Sequence, residues 1–230
     1  MELLLNCSRR CCRSGRRTRR ERAAKKYLYC GLANARSLNS CQDPLQHHLT
    51  ISDLDLLSIT ETWLIEHNGH DILRNVCPGG YVAIHRPRNG RRGGGVAFIH
   101  RSTLRVNPLS INAEMESFEH LSVSIKVNSV CINMMTVYRP PPSMSELFLE
   151  EFAGCLELLV AIPGRLLVVG DFNIHVDKLG NPFSCKFISL IESFDLVQRV
   201  LDPTHIAGQS FDLVLTAGRS IIQLWGYRCH

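Results

Sequence analysis

The sequence lacks any stretch of the roughly 18 consecutive apolar residues that a membrane-spanning helix needs. Its start, Met1 to Asn6, holds three leucines in a row and no preceding positive charge, so it does not resemble a secretory signal peptide. The ten cysteines form no Cys-x-x-Cys pair. A structural zinc site is not expected, because its ligands usually cluster in the sequence. With no internal repeats either, these absences favour an intracellular protein that does not enter a membrane.

Charge is unevenly distributed along the 230 residues. Residues 1–26 hold ten Lys/Arg and two Glu, a net charge of +8, whereas residues 27–230 hold sixteen Lys/Arg and nineteen Asp/Glu, a net charge of −3. The first segment has no apolar periodicity and is predicted to be a disordered basic tail. It could bind phosphate backbones without sequence preference, or it could be a solvated leader or a nuclear-localisation patch. With 45% hydrophobic residues overall, residues 27–230 are predicted to form one folded domain.

Hydrophobic patterns predict a mixture of strands and helices. Strands are predicted at residues 55–60, 96–99, 121–127, 130–138, 166–169 and 210–215. One helix follows a capping box formed by Ser143 and Glu146. A second helix begins with Asn181 as its N-cap and Pro182 at its first position. Hairpin strands together with crossover helices indicate a layered α/β or α+β domain.

Five polar residues lie at the ends of apolar runs or inside them: Asn34, Glu61, Asp171, Asn173 and Asp212. Layered α/β proteins commonly place ligand sites at strand ends, and carboxylates are costly to bury unless they are paired or coordinated to a metal. Oxygen donors of this kind suit a hard cation such as Mg²⁺. The residues alone leave other interpretations open. Asp171 and Asn173 could form a turn, Glu61 could be an exposed loop carboxylate, and Asn34 could cap a helix.

Seven short motifs occur in a single order along the chain. They are Asn34-Ala35-Arg36-Ser37-Leu38, Thr60-Glu61-Thr62-Trp63-Leu64, Gly93-Gly94-Gly95-Val96-Ala97, Val137-Tyr138-Arg139-Pro140-Pro141, Gly170-Asp171-Phe172-Asn173, Asp202-Pro203-Thr204-His205 and Phe211-Asp212-Leu213-Val214. Together they resemble the apurinic-type endonuclease domain of retrotransposons that lack long terminal repeats, a member of the endonuclease/exonuclease/phosphatase superfamily. The resemblance covers residues 28–216. It implies an α/β (α+β) four-layer sandwich of two packed mixed β-sheets flanked by helices, and metal-dependent nicking of DNA.

The resemblance also implies roles for single residues. Glu61 would ligate Mg²⁺ or Mn²⁺, and Asn34 would help to hold the metal. Asp171 would orient or deprotonate the attacking water, while Asn173 would donate a hydrogen bond to the phosphate. Tyr138 would contact the scissile phosphate, unless it only packs against the prolines that follow it.

Asp212 would orient a catalytic histidine, and here the sequence departs from the family pattern. That histidine belongs to a C-terminal Ser-Asp-His motif, which is absent from residues 217–230. His230 has neither the sequence context nor the strand to replace it. The resemblance therefore predicts that the last strand of the fold is missing and that activity is impaired, with either a truncated or frameshifted gene model or a decayed element copy as the cause.

DNA is the expected partner, and the nucleus the expected location. Candidate DNA-contact residues are Arg86, Arg88, Arg91, Arg92, Thr204 and His205. An Arg-rich loop can also be a merely solvated surface, and His205 can be a loop histidine with only local contacts. Intact relatives carry a reverse transcriptase on the same polyprotein, and no obligate protein partner is evident. Two rival functions stay open: a phosphatase or phospholipase of the same superfamily, and a non-catalytic remnant that binds nucleic acid.

Overall fold

The computed structural model of the chain describes most of the predicted folded domain. The described residues are 2–6, 27–88, 90, 92–111, 115–141, 145–176, 180–199, 212–217, 222–223 and 226–228.

The chain contains thirteen described strands and four described α-helices. The strands are β1 (Glu2–Asn6), β2 (Tyr27–Asn34), β3 (Leu56–Thr60), β4 (Tyr81–Arg86), β5 (Val96–Arg101), β6 (Arg105–Pro108), β7 (Glu119–Val127), β8 (Val130–Tyr138), β9 (Arg165–Asp171), β10 (Leu196–Gln198), β11 (Asp212–Ala217), β12 (Ile222–Gln223) and β13 (Gly226–Arg228). The helices are α1 (Gln42–Ser52), α2 (Gly69–Val76), α3 (Ser145–Val160) and α4 (Pro182–Ser193), with a 3-10 turn at Leu38–Ser40. Within the described ranges, none of the helices is both long enough and apolar enough to cross a bilayer.

The strands form two mixed sheets. The first has the order β12-β1-β2-β3-β5-β4, with β13 also beside β2, and the second has the order β10-β11-β9-β8-β7-β6. In the first sheet β2 and β3 are parallel, and in the second sheet β8 and β9 are parallel. Because parallel strands end at the same edge of a sheet, each sheet brings two strand ends together.

Three hydrophobic clusters separate the layers. Between the two sheets lie side chains such as Leu32, Phe98 and Val169. The outer face of the first sheet packs against α1 and α2, and that of the second against α3 and α4. The domain is thus a sandwich of helices, sheet, sheet and helices, which confirms the predicted fold class.

Both predicted helices are present. Asn181 caps α4, since its Oδ1 accepts hydrogen bonds from the backbone N–H groups of Phe183 at 2.9 Å and Ser184 at 3.3 Å. Phe148, Phe152, Cys155 and Leu159, which share one face of α3, are all fully buried. The proposed capping residue Ser143 lies outside the described residues.

Two expectations about the chain ends need correction. Residues 2–6, predicted as part of a disordered tail, form β1, which pairs with residues 27–31 of β2. The chain also continues beyond β11 into β12 and β13, and β13 pairs with residues 32–34 of β2. One edge of β2 is therefore covered from Tyr27 to Asn34, although the last strand was predicted to be missing. Backbone hydrogen bonding accounts for both differences, since an uncovered interior strand would leave N–H and C=O groups unpaired.

Gly170 allows β9 to approach β8 just before the strand ends. Its φ angle is +155°, and a Cβ atom built at this position would lie 1.9 Å from the carbonyl oxygen of Val137. Val137 is the direct neighbour of Gly170 in the parallel register, so neither backbone can move away without breaking the pairing. The glycine that precedes Asp171 is thus required by the packing of the sheet.

We expect Gly170→Ala to lower the free energy of unfolding by about 3 kcal/mol or more, because the new methyl group would overlap main-chain atoms. Gly154→Ala is the matched control. Gly154 lies inside α3 with open space around it, so alanine there should raise stability by about 0.5–1 kcal/mol. Denaturant unfolding of both variants measures the difference, and a Gly170→Ala protein as stable as the wild type would contradict the packing argument.

Candidate active site

The first sheet places two of the predicted site residues side by side. Asn34 is the last residue of β2 and is paired in register with Thr60, the last residue of β3. Glu61 comes directly after Thr60, so it emerges next to Asn34 at the same edge of the sheet. Asn34 is only 7% exposed, whereas Glu61 is partly exposed.

The second sheet aligns three more across neighbouring strands. Asp171 at the end of β9 is in register with Tyr138 at the end of β8. On its other side, Asp171 is in register with Asp212 at the start of β11. Asp171 is 4% exposed and Tyr138 is 6% exposed. Sheet register alone therefore gathers an aromatic hydroxyl and two carboxylates at one edge.

Asn34 joins these two edges by hydrogen bonds. Its Nδ2 donates to Glu61 Oε1 at 2.8 Å within its own sheet and to Asp171 Oδ2 at 2.7 Å across the sandwich. Its Oδ1 accepts from the backbone N–H of Arg36 at 3.2 Å, which fixes the orientation of the amide. One side chain thus binds two carboxylates that the sequence separates by more than a hundred residues.

The turn that carries Glu61 adopts an unusual backbone conformation. Glu61 and Trp63 have φ angles of 52° and 53°, in the left-handed region, where a non-glycine residue costs about 1–2 kcal/mol. Backbone hydrogen bonds hold the turn on both sides: Ser37 N–H donates to Glu61 O at 2.9 Å, and Trp63 N–H donates to Gly94 O at 2.7 Å. Such strain is often found at functional sites.

Asp171 has a strongly altered acidity. Burial, together with the negative charges of Asp212 and Glu61, raises the pKa of its carboxyl group to about 7. The hydrogen bonds from Asn34 and from the backbone of Asn173, at 3.2 Å, act in the opposite direction. Asp171 can therefore exchange a proton near neutral pH.

Tyr138 stays protonated under the same conditions. Burial raises the pKa of its hydroxyl above the ordinary value, as do the carboxylates of Glu61, Asp171 and Glu119. The positive charge of Arg88 opposes this shift. At neutral pH Tyr138 is thus a hydrogen-bond donor.

Arg139 is a site residue to which the sequence assigned no role, although it follows Tyr138 in a quoted motif. Its Nη1 donates to the carbonyl oxygens of Phe172 at 3.1 Å and Asn173 at 3.2 Å, and Asn173 Nδ2 donates back to Arg139 O at 2.7 Å. The guanidinium lies 5.1 Å from the ring centre of Phe148 and 5.0 Å from that of Phe183. This buried arginine holds the turn after Asp171, in which Asn173 has a φ angle of 49°.

The structure separates the candidate DNA-contact arginines. Arg88 lies at the site, with its guanidinium 5.6 Å from the ring centre of Tyr138. Arg86 points to His120, whose carbonyl oxygen it approaches at 3.5 Å. Arg92 is exposed and lies 5.9 Å from the centre of the Trp63 ring. Outside the described residues lie Arg91, Thr204 and His205.

The donors fit a divalent cation that takes only part of its coordination shell from the protein. In the ranges described here, no three His, Cys, Asp or Glu side chains group closely enough to hold a metal ion. Glu61 nevertheless offers carboxylate oxygens beside Asp171 and Asp212. Asn34 turns its Nδ2 to Glu61 and Asp171, so its Oδ1 would reach a cation there only after the amide rotates. Mg²⁺ commonly binds through one or two protein carboxylates together with substrate phosphate and water. A site with few protein ligands is therefore compatible with Mg²⁺.

The chain is similar in sequence to a known mobile-element protein. Over 162 residues the chain is 27% identical to the RNA-directed DNA polymerase from mobile element jockey of Drosophila melanogaster, which covers 69% of this chain and 16% of that protein. The chain therefore spans about a sixth of that relative's length.

Two solved structures share the fold. The endonuclease domain of TRAS1, a telomere-specific non-LTR retrotransposon, has a TM-score of 0.62 at 15% identity, over 80% of this chain and 82% of that one. The AP endonuclease LMAP from Leishmania major has a TM-score of 0.64 at 14% identity, over 82% of this chain and 78% of that one.

The family comparison covers nearly the whole sandwich. The model of the Endonuclease/Exonuclease/phosphatase family matches residues 28–221, a span that contains both sheet edges and every residue placed at the site above. The members of this family are hydrolytic enzymes. With its fold, its ordered motifs and this match in agreement, the chain belongs to the Endonuclease/Exonuclease/phosphatase family.

Proposed function

We propose that this chain carries a divalent-metal-dependent DNA endonuclease site of the retrotransposon type, which nicks one strand by hydrolysing a phosphodiester. The observation that most supports this proposal is that Asn34 donates hydrogen bonds to both Glu61 and Asp171, which we call the Asn34 junction. It concentrates carboxylates, an amide and the Tyr138 hydroxyl at one edge of both sheets. These are the groups that a phosphodiester hydrolase needs at one place.

Each group has a chemical task in this proposal. Hydrolysis increases the negative charge on the phosphate oxygens in the transition state, and neutral donors stabilise that charge. The protonated hydroxyl of Tyr138 is one such donor. Asn173 is another, because only one of its two amide hydrogens is used on Arg139 O. Asp171, with a pKa near 7, accepts the proton of the attacking water, a contribution of about 10²–10⁴-fold.

Glu61 and Asn34 would hold the cation, Mg²⁺ or Mn²⁺. Bound there, the cation would supply charge stabilisation for the phosphate. Asp212, in register with Asp171, would orient a catalytic histidine, the role implied by the family resemblance, but the Ser-Asp-His motif that supplies this histidine does not occur in residues 217–230.

DNA as the substrate is supported by the kind of relatives that share the fold and the motifs. One similar protein is a mobile-element polymerase and one similar structure is a retrotransposon endonuclease domain. We propose accordingly that intact elements place a reverse transcriptase on the same polyprotein, and that the site acts on chromosomal DNA in the nucleus. Exposed Arg92 beside Trp63 offers a cation and an aromatic surface for the nucleic acid.

A nucleic-acid-binding protein without nicking activity is the second candidate. The observation that favours it is the sequence after Asp212, in which no Ser-Asp-His motif occurs. In this case Asp171 and Glu61 would retain their geometry without completing the reaction.

We expect the purified chain to convert supercoiled plasmid to the open circle in Mg²⁺, and Glu61→Gln to lower the rate by about 100-fold or more, because the cation loses its charged ligand. Glu157→Gln, which removes an exposed carboxylate on α3, is the control. Gel electrophoresis measures the rate, with EDTA as a blank. Nicking that survives in Glu61→Gln would contradict the assigned site. DNA binding without nicking would support the second candidate, and cleavage of inositol phosphates or sphingomyelin instead of DNA would indicate a phosphatase or phospholipase.

A second prediction concerns pH and needs no activity. The pKa of Asp171 is raised in the folded protein to about 7, from an ordinary value of 3.8. Its folded form therefore binds a proton more tightly than the unfolded chain, so its contribution to stability is complete below the ordinary pKa and is lost as the pH rises to about 7. In EDTA, Asp171→Asn should raise the melting temperature more at pH 8 than at pH 5.

The control for this measurement is Asp43→Asn, which neutralises an exposed aspartate at the start of α1. An equal gain for Asp171→Asn at both pH values would show that burial does not raise the pKa of this carboxyl group.

A further inference from the structure

Arg88 is held from several directions at once. Its Nε donates to Glu119 Oε1, and the second carboxylate oxygen of Glu119 accepts the backbone N–H of Gly95. The two charged side chains are only 19% and 20% exposed. Arg88 is therefore a fixed group rather than a free arm on the loop after β4.

The triple glycine at residues 93–95 explains how the guanidinium fits. A Cβ atom on Gly94 would lie 2.4 Å from Arg88 Cζ and 2.5 Å from its Nη2. The guanidinium thus lies directly against the backbone at Gly94, where any side chain would displace it. Gly94 also has a φ angle of +68°, which favours glycine in any case.

Tyr138 lies on the other side of the guanidinium. The Cζ atom of Arg88 is 5.6 Å from the ring centre, a distance typical of a cation–π contact. Glu119 and Tyr138 are direct neighbours in the β7–β8 register, so the residue that holds Arg88 is also placed by the strand that carries Tyr138. The arginine is confined between a glycine backbone and an aromatic ring.

We infer that Arg88 is a positioning residue for Tyr138: held by Glu119 against Gly94, it fixes the tyrosine ring so that the hydroxyl points to the phosphate. This inference rests on the proposed function for its catalytic consequence, but the placement of the ring can be tested without it. The sequence suggested a different role, in which Arg88 contacts DNA as part of a mobile basic loop.

Arg88→Met removes the charge and keeps most of the side-chain length. In the wild-type background we expect kcat for plasmid nicking to fall on the order of 10–100-fold with little change in KM, since misplacing a reacting group acts on the transition state. In a Tyr138→Phe background, the same change should matter less than about 2-fold, because coupled residues are not additive. Arg88→Lys, which keeps a cation over the ring, should restore part of the loss.

Two variants separate positioning from general damage. The double variant Arg88→Met/Glu119→Gln leaves no unpaired carboxylate behind. It should therefore stay folded if Arg88→Met is destabilised only by the loss of the ion-pair partner of Glu119. Arg105→Met is the matched control, because Arg105 is exposed on β6. In the strand register Arg105 is the neighbour of Lys126, which lies at the other end of β7 from Glu119. Equal losses from Arg88→Met in the wild-type and Tyr138→Phe backgrounds would overturn the inference.

A spectroscopic measurement decides the matter if the wild type does not nick DNA. With ¹³C-labelled tyrosine rings, the chain gives signals from five tyrosines, and the one that disappears in Tyr138→Phe belongs to Tyr138. Arg88→Met should shift or broaden that signal, whereas Arg105→Met should not. An unchanged Tyr138 signal in Arg88→Met would overturn the inference. A shifted signal in an inactive wild type would support the positioning of Tyr138 while refuting the proposed nicking activity.

Discussion

The hydrogen bonds of a single amide, that of Asn34, connect the two halves of the site. They link Glu61 on one sheet to Asp171 on the other, at 2.8 and 2.7 Å. This connection is possible because β2 and β3 are parallel neighbours that end together, and because β9 ends at the facing edge of the second sheet. Most of the other features of the site follow from this junction, including the crowding of negative charge around Asp171.

Several carboxylates lie close together around the junction, and one of them, Asp171, is buried. The carboxylates of Asp171, Asp212 and Glu61 repel one another, and this repulsion together with burial keeps Asp171 protonated to about pH 7. Arg88 and Arg139 also lie near this edge, and among the described residues neither forms an ion pair with Glu61 or Asp171. Arg139 binds carbonyl oxygens and aromatic rings, whereas Arg88 pairs with Glu119. An acidic edge of this kind suits a site that binds a cation together with phosphate.

Local patterns in the sequence predicted the parts of the fold that local physics determines. Asp171 and Asn173 were selected because an apolar strand ends directly before them, and in their turn the backbone N–H of Asn173 donates to Asp171 Oδ1. Asn34 could be recognised as a polar residue at the end of a strand. Its contact with Asp171 could not be predicted, because it depends on how strands far apart in the sequence are placed in the two sheets. Glu119 gave no signal, since an acidic residue at the start of a strand is ordinary. Residues 2–6 were misassigned because a short apolar run inside a basic segment reveals nothing about its partner, β2.

The central claim is that the junction at Asn34 assembles a cation site for phosphodiester hydrolysis. Crystals of the protein soaked in Mn²⁺, with diffraction recorded at the manganese absorption edge, test this most directly. We expect one anomalous peak within coordination distance of Glu61 and Asn34, and we expect this peak to be lost in Glu61→Gln crystals. An anomalous peak bound only elsewhere, or none at saturating Mn²⁺, would contradict it.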